Sequence, residues 1–256
     1  MKKFELTDEF ITNAFGNKLF RIKAIVDFGT IRAGELGGFV EKEENLSNDD
    51  NAWVSGNARV SDDARISDDA RISGNAQVSG NASVFGNASV SDDARISGNA
   101  QVSGNASVFG NAWVSGNAQV YGNASVFGNA WVYGNASVFG NASVFGNASV
   151  FGNASVSDDA RISGNAQVSG NASVFGNADY AVVEGFGRYF RATTFFRCKD
   201  KILRVQCGCF YGDLAEFREI VKKTHGDSKY AKEYLAIADL MELHFSDDEG
   251  RQEAAE

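Results

Sequence analysis

The stretch Asn99-Ala-Gln-Val-Ser-Gly-Asn-Ala-Ser-Val-Phe-Gly-Asn-Ala-Trp-Val-Ser-Gly116 consists of three copies of one six-residue unit. This unit reads Asn or Asp, Ala, a variable residue, Val or Ile, then Ser, Phe or Tyr, then Gly or Asp. It occurs twenty-one times in succession between Asn51 and Gly176. A fixed six-residue period is typical of a parallel β-helix whose triangular coil contains three hexapeptides. The repeat therefore predicts a mainly β protein with a solenoid of about seven triangular coils.

Each position of the repeat has a predicted role. Alternate side chains of a strand share one face, so the aliphatic residue and the Ala two positions before it both point inward. Ala lies near the corner, where only a small side chain fits. Gly-Asn or Asp-Asp forms the corner, because these residues adopt left-handed backbone at low cost. The stacked Asn side chains are expected to hydrogen-bond from coil to coil.

The pattern from Asn51 to Gly176 resembles that of the left-handed β-helix hexapeptide-repeat proteins. The resemblance implies a left-handed coil. The best-known members are acyltransferases, and some are zinc carbonic anhydrases; both chemistries use histidine, as a general base or as a metal ligand. The repeats contain no His, Cys or Lys, so we expect a non-catalytic solenoid without cofactor or metal.

The segments that flank the repeats carry a second resemblance. Gly34–Ser47, Cys207–Phe210 and Thr224–Asp227 are similar to stretches of uncharacterised hexapeptide-repeat proteins of bacteriophages and prophages. This resemblance implies a phage-type accessory protein. It brings no established activity, and no functional residue follows from it.

Aromatic residues occupy outward positions of the central repeats. Counting in steps of one eighteen-residue coil stacks them on the three faces of the solenoid. Such stacks stabilise neighbouring strands, whereas a large exposed apolar patch is typical of an interface, and both interpretations stay open. The candidate interface, called the aromatic belt, comprises Phe109, Phe127 and Phe145 on one face, Trp113, Trp131, Tyr133 and Phe151 on another, and Tyr121 and Phe139 on the last.

Asp-Asp replaces Gly-Asn at four corners, residues 62–63, 68–69, 92–93 and 158–159. A calcium site would require such pairs on neighbouring coils, and the eighteen-residue count puts no two pairs in register on adjacent coils. Each pair is followed two residues later by Arg. We therefore predict solvated corners whose charge is compensated locally.

The chain divides into four predicted parts. Residues 1–50 form a β-rich cap with strands near Phe4–Leu6 and Leu19–Asp27. Val40 and Leu46 are six residues apart, so the coil is expected to begin before the regular repeats. The hexapeptide β-helix covers residues 51–178, and an acidic disordered tail covers residues 246–256.

Residues 179–245 predict a small C-terminal ββαα module. Thr193–Arg197 and Ile202–Phe210 read as a hairpin, Asp213–Glu216 as a capping box that begins a helix, and Ser228 as the cap of a second helix. The module contains every Cys and both His of the chain: Cys198, Cys207, Cys209, His225 and His244.

These Cys and His residues do not predict a metal site. Cys-x-Cys is poor zinc-ligand spacing, and Cys207 and Cys209 share the apolar face of a strand, so we expect small core residues. His225 precedes Gly226 and suits a helix C-terminus, where a partial positive charge is favourable.

Composition excludes several classes of function. The formal charge is −9, and no segment is basic enough to predict nucleic-acid binding. No apolar run approaches the length of a membrane span, and three Cys indicate a reducing compartment, so we expect a cytoplasmic protein without membrane contact.

The leading functional hypothesis is a non-catalytic scaffold or binding protein. It contacts a protein partner, or associates with itself as a homo-oligomer, through the aromatic belt or the C-terminal module. One alternative is an acyltransferase-like enzyme that uses His225 or a histidine of a neighbouring subunit. Another is a phage protein that binds a host defence factor or a nucleotide ligand.

Overall fold

The structure is a computed structural model, and it describes residues 2–246. The predicted acidic tail lies outside the described residues from position 247 onward. At the N-terminus, β1 (Phe4–Thr12), β2 (Lys18–Ala24) and β3 (Leu36–Val40) form an antiparallel meander, followed by a short 3-10 turn at Glu43–Asn45.

Each of the twenty-one hexapeptides forms one two-residue strand, which contains the variable residue and the inward aliphatic residue. The strands are β4 (Trp53–Val54), β5 (Arg59–Val60), β6 (Arg65–Ile66), β7 (Arg71–Ile72), β8 (Gln77–Val78), β9 (Ser83–Val84), β10 (Ser89–Val90), β11 (Arg95–Ile96), β12 (Gln101–Val102), β13 (Ser107–Val108), β14 (Trp113–Val114), β15 (Gln119–Val120), β16 (Ser125–Val126), β17 (Trp131–Val132), β18 (Ser137–Val138), β19 (Ser143–Val144), β20 (Ser149–Val150), β21 (Ser155–Val156), β22 (Arg161–Ile162), β23 (Gln167–Val168) and β24 (Ser173–Val174).

These strands form three parallel sheets, one for each face of the solenoid. The first face continues from β3 through β5, β8 and every third strand to β23; the second runs from β4 to β22, and the third from β6 to β24. Strands pair with the strand eighteen residues away, as in the register of Val108 with Val126. The Ala and Val or Ile residues of every hexapeptide are buried. The predicted parallel β-helix is therefore confirmed.

The solenoid begins before the regular repeats, as predicted. β3 pairs in parallel with β5, with Val40 beside Val60, and Leu46 bridges to Ile66. The cap thus supplies an additional coil beyond the seven predicted from the repeats. Its antiparallel strands β1 and β2 cover the open edge that a parallel coil would otherwise present.

Asn side chains form ladders along the corners. The side-chain amides of the corner Asn residues from Asn51 to Asn153 donate from Nδ2 to the Oδ1 atom of the residue eighteen positions later, in agreement with the prediction. Because a carboxylate has no N–H to donate, a ladder ends where it meets an acidic residue. The longest ladder joins Asn81, Asn99, Asn117, Asn135, Asn153 and Asn171, and others end at Asp69, Asp93, Asp159 and Glu184.

The C-terminal module contains four strands and two helices. The antiparallel sheet consists of β25 (Tyr180–Val183), β26 (Thr193–Arg197), β27 (Leu203–Cys207) and β28 (Phe210–Asp213), followed by α1 (Leu214–His225) and α2 (Lys229–His244). The sequence predicted two strands in this module, whereas the structure contains four. β25 lacks clear alternation in its sequence, and the predicted strand 202–210 is divided by a turn at Gly208, whose φ is +59°. The helix caps at Asp213 and Ser228 are as predicted.

The module closes the C-terminal end of the solenoid through β26. The backbone N–H of Gln167 donates to Thr194 Oγ1 at 2.9 Å, and Ser169 Oγ donates to Gln206 Oε1 at 2.9 Å. Phe196 is buried in the solenoid core, while its neighbour Phe195 packs against the helices on the other side of the sheet. One sheet therefore has two apolar faces, one for each core. No helix within residues 2–246 is long and apolar enough to cross a membrane.

Candidate functional site

The aromatic belt forms regular stacks between coils. The ring pairs are Phe109–Phe127 (4.9 Å between centroids, 1° between planes), Phe127–Phe145 (5.0 Å, 2°), Tyr121–Phe139 (4.9 Å, 1°) and Tyr133–Phe151 (4.9 Å, 3°). Trp113 and Trp131 meet edge to face at 5.3 Å and 65°. These distances follow from the spacing of about 4.8 Å between neighbouring strands. Each pair stacks as the eighteen-residue count predicts.

The first face exposes the largest part of the belt. Trp131 is 48% exposed and Tyr133 36%, whereas Trp113 and Phe151 are half-buried beside them. These four residues, called the Trp131 patch, lie on or directly after the adjacent strands β14, β17 and β20. Burial raises the pKa of the Tyr133 hydroxyl above its usual value. The patch places four aromatic side chains on three adjacent strands of one sheet.

The coils that carry the belt are uncharged. Between Ile96 and Ser157 the sequence contains no Asp, Glu, Lys, Arg or His. Charged residues of the repeats lie on both sides of this segment, with Arg95 at one end and Asp158 at the other. The strands that carry the Trp131 patch are therefore uncharged, and the exposed Arg95 of β11 lies in register with Trp113 at one edge of the patch.

The Asp-Asp corners stabilise the coil through hydrogen bonds. The first Asp of each pair takes the left-handed conformation, with φ between 51° and 59°. At three of the four corners its carboxylate accepts a hydrogen bond from a backbone N–H of the next coil, as Asp68 Oδ2 does from Gly86 at 2.8 Å. All eight side chains are exposed, as predicted. At Asp63 the hydrogen bond and charge of Lys42 foremost, and also the charge of the following Arg65, lower the pKa of the carboxyl, so the predicted compensation by the following Arg is seen at this corner. The ion pair at these corners, among residues 2–246, joins Lys42 to Asp63.

Comparison with known protein families gives a match within the repeats. The family model described as YdcK Beta solenoid repeat matches residues 64–76, 76–92, 100–116 and 118–134. These segments coincide with coils whose parallel register is described above. The chain is a hexapeptide-repeat β-solenoid protein. A search of curated proteins gave no match.

The cysteines of the solenoid protein occupy three different environments. Cys198 is buried, and burial raises the pKa of its thiol. Cys207 is half-buried, whereas Cys209 is exposed, so the predicted core position of Cys209 is wrong. The left-handed Gly208 reverses the chain between β27 and β28 and places Cys209 in the turn. Within residues 2–246, no group of three or more His, Cys, Asp or Glu side chains is arranged to hold a metal ion.

His225 lies at the C-terminus of α1, as predicted, and Gly226 caps this helix with a backbone N–H donated to Lys222 O. The imidazole packs against Tyr234 of α2, with 5.8 Å between ring centroids. It also lines a cavity of the module together with Cys207 and Tyr234. The sequence did not predict this cavity. One of its walls is formed by loop 184–192, which precedes β26 and contains no recognisable sequence motif.

Proposed function

We propose that this chain is a non-catalytic, self-associating scaffold of the accessory kind found in bacteriophages and prophages. Two copies associate through the Trp131 patch and place two rods side by side. The assignment to the phage type rests on the resemblance of the flanking segments Gly34–Ser47 and Thr224–Asp227.

The exposure of Trp131 and Tyr133 on the uncharged central strands β14, β17 and β20 is the observation that carries the proposal. Interface cores are depleted of charged residues and enriched in aromatic residues, which matches the composition of the segment from Ile96 to Ser157. Exposed apolar patches of this kind usually mark contact sites in soluble proteins. Stacking within one chain already gives the half-buried rings of Trp113 and Phe151 an aromatic neighbour. It leaves the outer edges of Trp131 and Tyr133 in solvent.

The distribution of charge favours a second copy of the chain as the partner. The protein carries a net charge of −9, so most contacts between copies bring like charges together. Contact through the uncharged central coils avoids this repulsion. A twofold axis through the Trp131 patch brings the same surface of both copies together, which is the commonest arrangement in homodimers.

The absence of histidine, cysteine and lysine from the repeats supports the non-catalytic part of the proposal. The sequence from Asn51 to Gly176 contains no His, Cys or Lys. His225, the candidate base considered from the sequence, packs between aromatic rings of the C-terminal module.

The test is the mass of the protein in solution, measured by light scattering across a concentration series. The variant Trp131→Ser/Tyr133→Ser introduces serine, which the adjacent coils already have at the equivalent positions. Ser149 is equivalent to Trp131, and Ser115 is equivalent to Tyr133. The matched control, Tyr121→Ser, removes an exposed ring from the third face. We expect a dimer for the wild type and the control, and a monomer for the double variant. A monomeric wild type, or a double variant that remains dimeric, contradicts the proposal.

A further inference from the structure

The C-terminal module contains a cavity of about 200 Å³ between β27, β28, the two helices and loop 184–192. Its wall is largely aromatic: Phe210 and Phe217 lie 5.6 Å apart between ring centroids, and Phe217 and Tyr234 lie 5.8 Å apart, edge to face. A cavity of roughly 150 Å³ is large enough to hold benzene. The space therefore accommodates one planar ring.

Loop 184–192 is fixed against α2 by Gly187. The backbone N–H of Gly187 donates to Glu233 Oε2 at 3.0 Å. Its φ is +72°, and a Cβ atom at this position would lie 2.1 Å from the Tyr234 hydroxyl, so only glycine fits. Four residues later the loop approaches the β27–β28 turn, where a Cβ atom on Gly208 would lie 2.8 Å from Arg191 Nη1. The hydrogen bond from Gly187 thus anchors the loop beside the cavity, and the Arg191 side chain reaches the β27–β28 turn.

The rim of the cavity is basic. Arg188, Arg191 and His225 line it, and no Asp or Glu is among its lining residues. The two guanidinium groups lie 5.5 and 5.0 Å from the ring centroid of Tyr189. Within residues 2–246, neither arginine forms an ion pair with a carboxylate. The nearby Glu233 carboxylate is engaged by the N–H of Gly187 and, at 3.4 Å, by Lys229 Nζ.

We propose that this cavity binds a small aromatic anion, with its ring against Phe217 and Tyr234 and its anionic group between Arg188 and Arg191. A planar guanidinium forms two parallel hydrogen bonds to a carboxylate or to a phosphate, so the two arginines suit a ligand with either anionic group. Burial foremost, with the neighbouring Cys207, raises the pKa of the Tyr234 hydroxyl to about 12, so this wall of the cavity carries no negative charge that would repel an anion.

Isothermal titration of the full chain with phenylphosphate tests the proposal, with benzyl alcohol and inorganic phosphate as the two half-ligands. We expect phenylphosphate to bind at least about tenfold more tightly than either half-ligand, since ring burial and the charged contacts both contribute. The variant Arg188→Gln/Arg191→Gln should weaken binding about tenfold or more, the effect of losing one charge-assisted hydrogen bond. The matched control, Arg59→Gln/Arg95→Gln, removes two exposed arginines of the solenoid and should bind as the wild type does.

A variant that fills the cavity provides a second test that does not depend on the two arginines. Thr224→Trp places a large side chain at an exposed lining position of α1, and it should abolish binding while the melting temperature stays near that of the wild type. Absence of phenylphosphate binding at millimolar concentration overturns the proposal. So does equal affinity for inorganic phosphate, or unchanged affinity in the double arginine variant.

Discussion

Asn75 donates its side-chain amide to Asp93 Oδ1 at 3.1 Å, and the corner ladder ends there. The next ladder on the same corner begins eighteen residues later, where Asn111 donates to Asn129 at 3.2 Å. A single carboxylate thus separates two hydrogen-bonded series, because it accepts from the preceding coil and has no N–H for the following one.

Asp93→Asn is therefore predicted to join the two ladders. The new amide accepts from Asn75 and donates to Asn111, which adds one hydrogen bond and removes one negative charge. We expect a gain of about 0.5–1 kcal/mol in the free energy of unfolding, the usual worth of one such bond. Chemical denaturation measures it, with Asp93→Ala as the control that loses the acceptor. A stability of Asp93→Asn below that of the wild type contradicts the ladder account.

The stability of the N-terminal cap is predicted to fall in acid. Lys3 is 3% exposed, and its Nζ donates to Ala52 O at 2.9 Å and to both Asp50 O and Asp50 Oδ1. Burial opposes ionisation of Asp50, but hydrogen bonds from Ser47, Ala52, Asp68 and Lys3 outweigh it and lower the pKa of this carboxyl below 3.8.

Because the pKa of Asp50 is lower in the folded state than in the unfolded state, its stabilising contribution is complete above the unfolded value. It is lost as the pH falls through the folded value. Asp50→Asn should cost about 3 kcal/mol at neutral pH, as expected when a buried lysine loses its partner. The difference from the wild type should shrink below about pH 4, and the exposed neighbour Asp49→Asn should show neither effect. A constant difference from pH 7 to pH 3 would show that the Asp50 charge is not responsible.

Two glycines near the end of the solenoid should differ in their tolerance of substitution. Gly170 has a φ of +62°, and a Cβ atom there would lie 2.1 Å from the hydroxyl of Tyr211, a residue of the C-terminal module. Gly176 has an extended φ and open space around it. Gly170→Ala should cost about 2 kcal/mol or more, since the left-handed conformation alone costs about 1–2 kcal/mol. Gly176→Ala should stay within about 0.5 kcal/mol. Equal melting temperatures for the two variants would exclude close packing of the module at Gly170.

Purified protein is predicted not to transfer acyl groups from acetyl-CoA. The solenoid repeats contain no His, the general base of the acyltransferases that they resemble, and the His225 ring is packed against Tyr234. A colorimetric assay measures the release of free thiol from acetyl-CoA in the presence of a panel of amine acceptors. The rate of release with the protein should equal the rate without it. Turnover that disappears in His225→Ala would reverse the non-catalytic assignment.

The sequence predicted the solenoid because its physical rule is local and repeated. An inward Val at Val108 and Val126 follows from alternation within one strand, and their pairing follows from the eighteen-residue coil. The caps at Asp213 and Ser228 were also predicted, because a capping side chain bonds within its own turn. The first coil, formed by Val40 and Leu46, was visible through the same six-residue step.

The module cavity was not predictable from the sequence, because its walls are distant in the chain. Arg191 and Phe217 meet only after β26 has paired with β27 and α1 has folded over the sheet. Cys209 illustrates the same limit on a smaller scale. Alternation placed it on the core side, but one left-handed residue, Gly208, turned it to solvent.

The equivalence of the hexapeptides has a consequence for inheritance. The stretch Asp68–Ala88 recurs without change as Asp92–Ala112 and Asp158–Ala178. Recombination between such copies adds or removes whole hexapeptides, and each product keeps its inward Ala and Val in place. Three hexapeptides lengthen the rod by about 4.8 Å without turning its end, whereas one hexapeptide turns the C-terminal module by a third of a revolution. Variation in copy number therefore offers heritable control over both the reach of the module and the direction in which it faces.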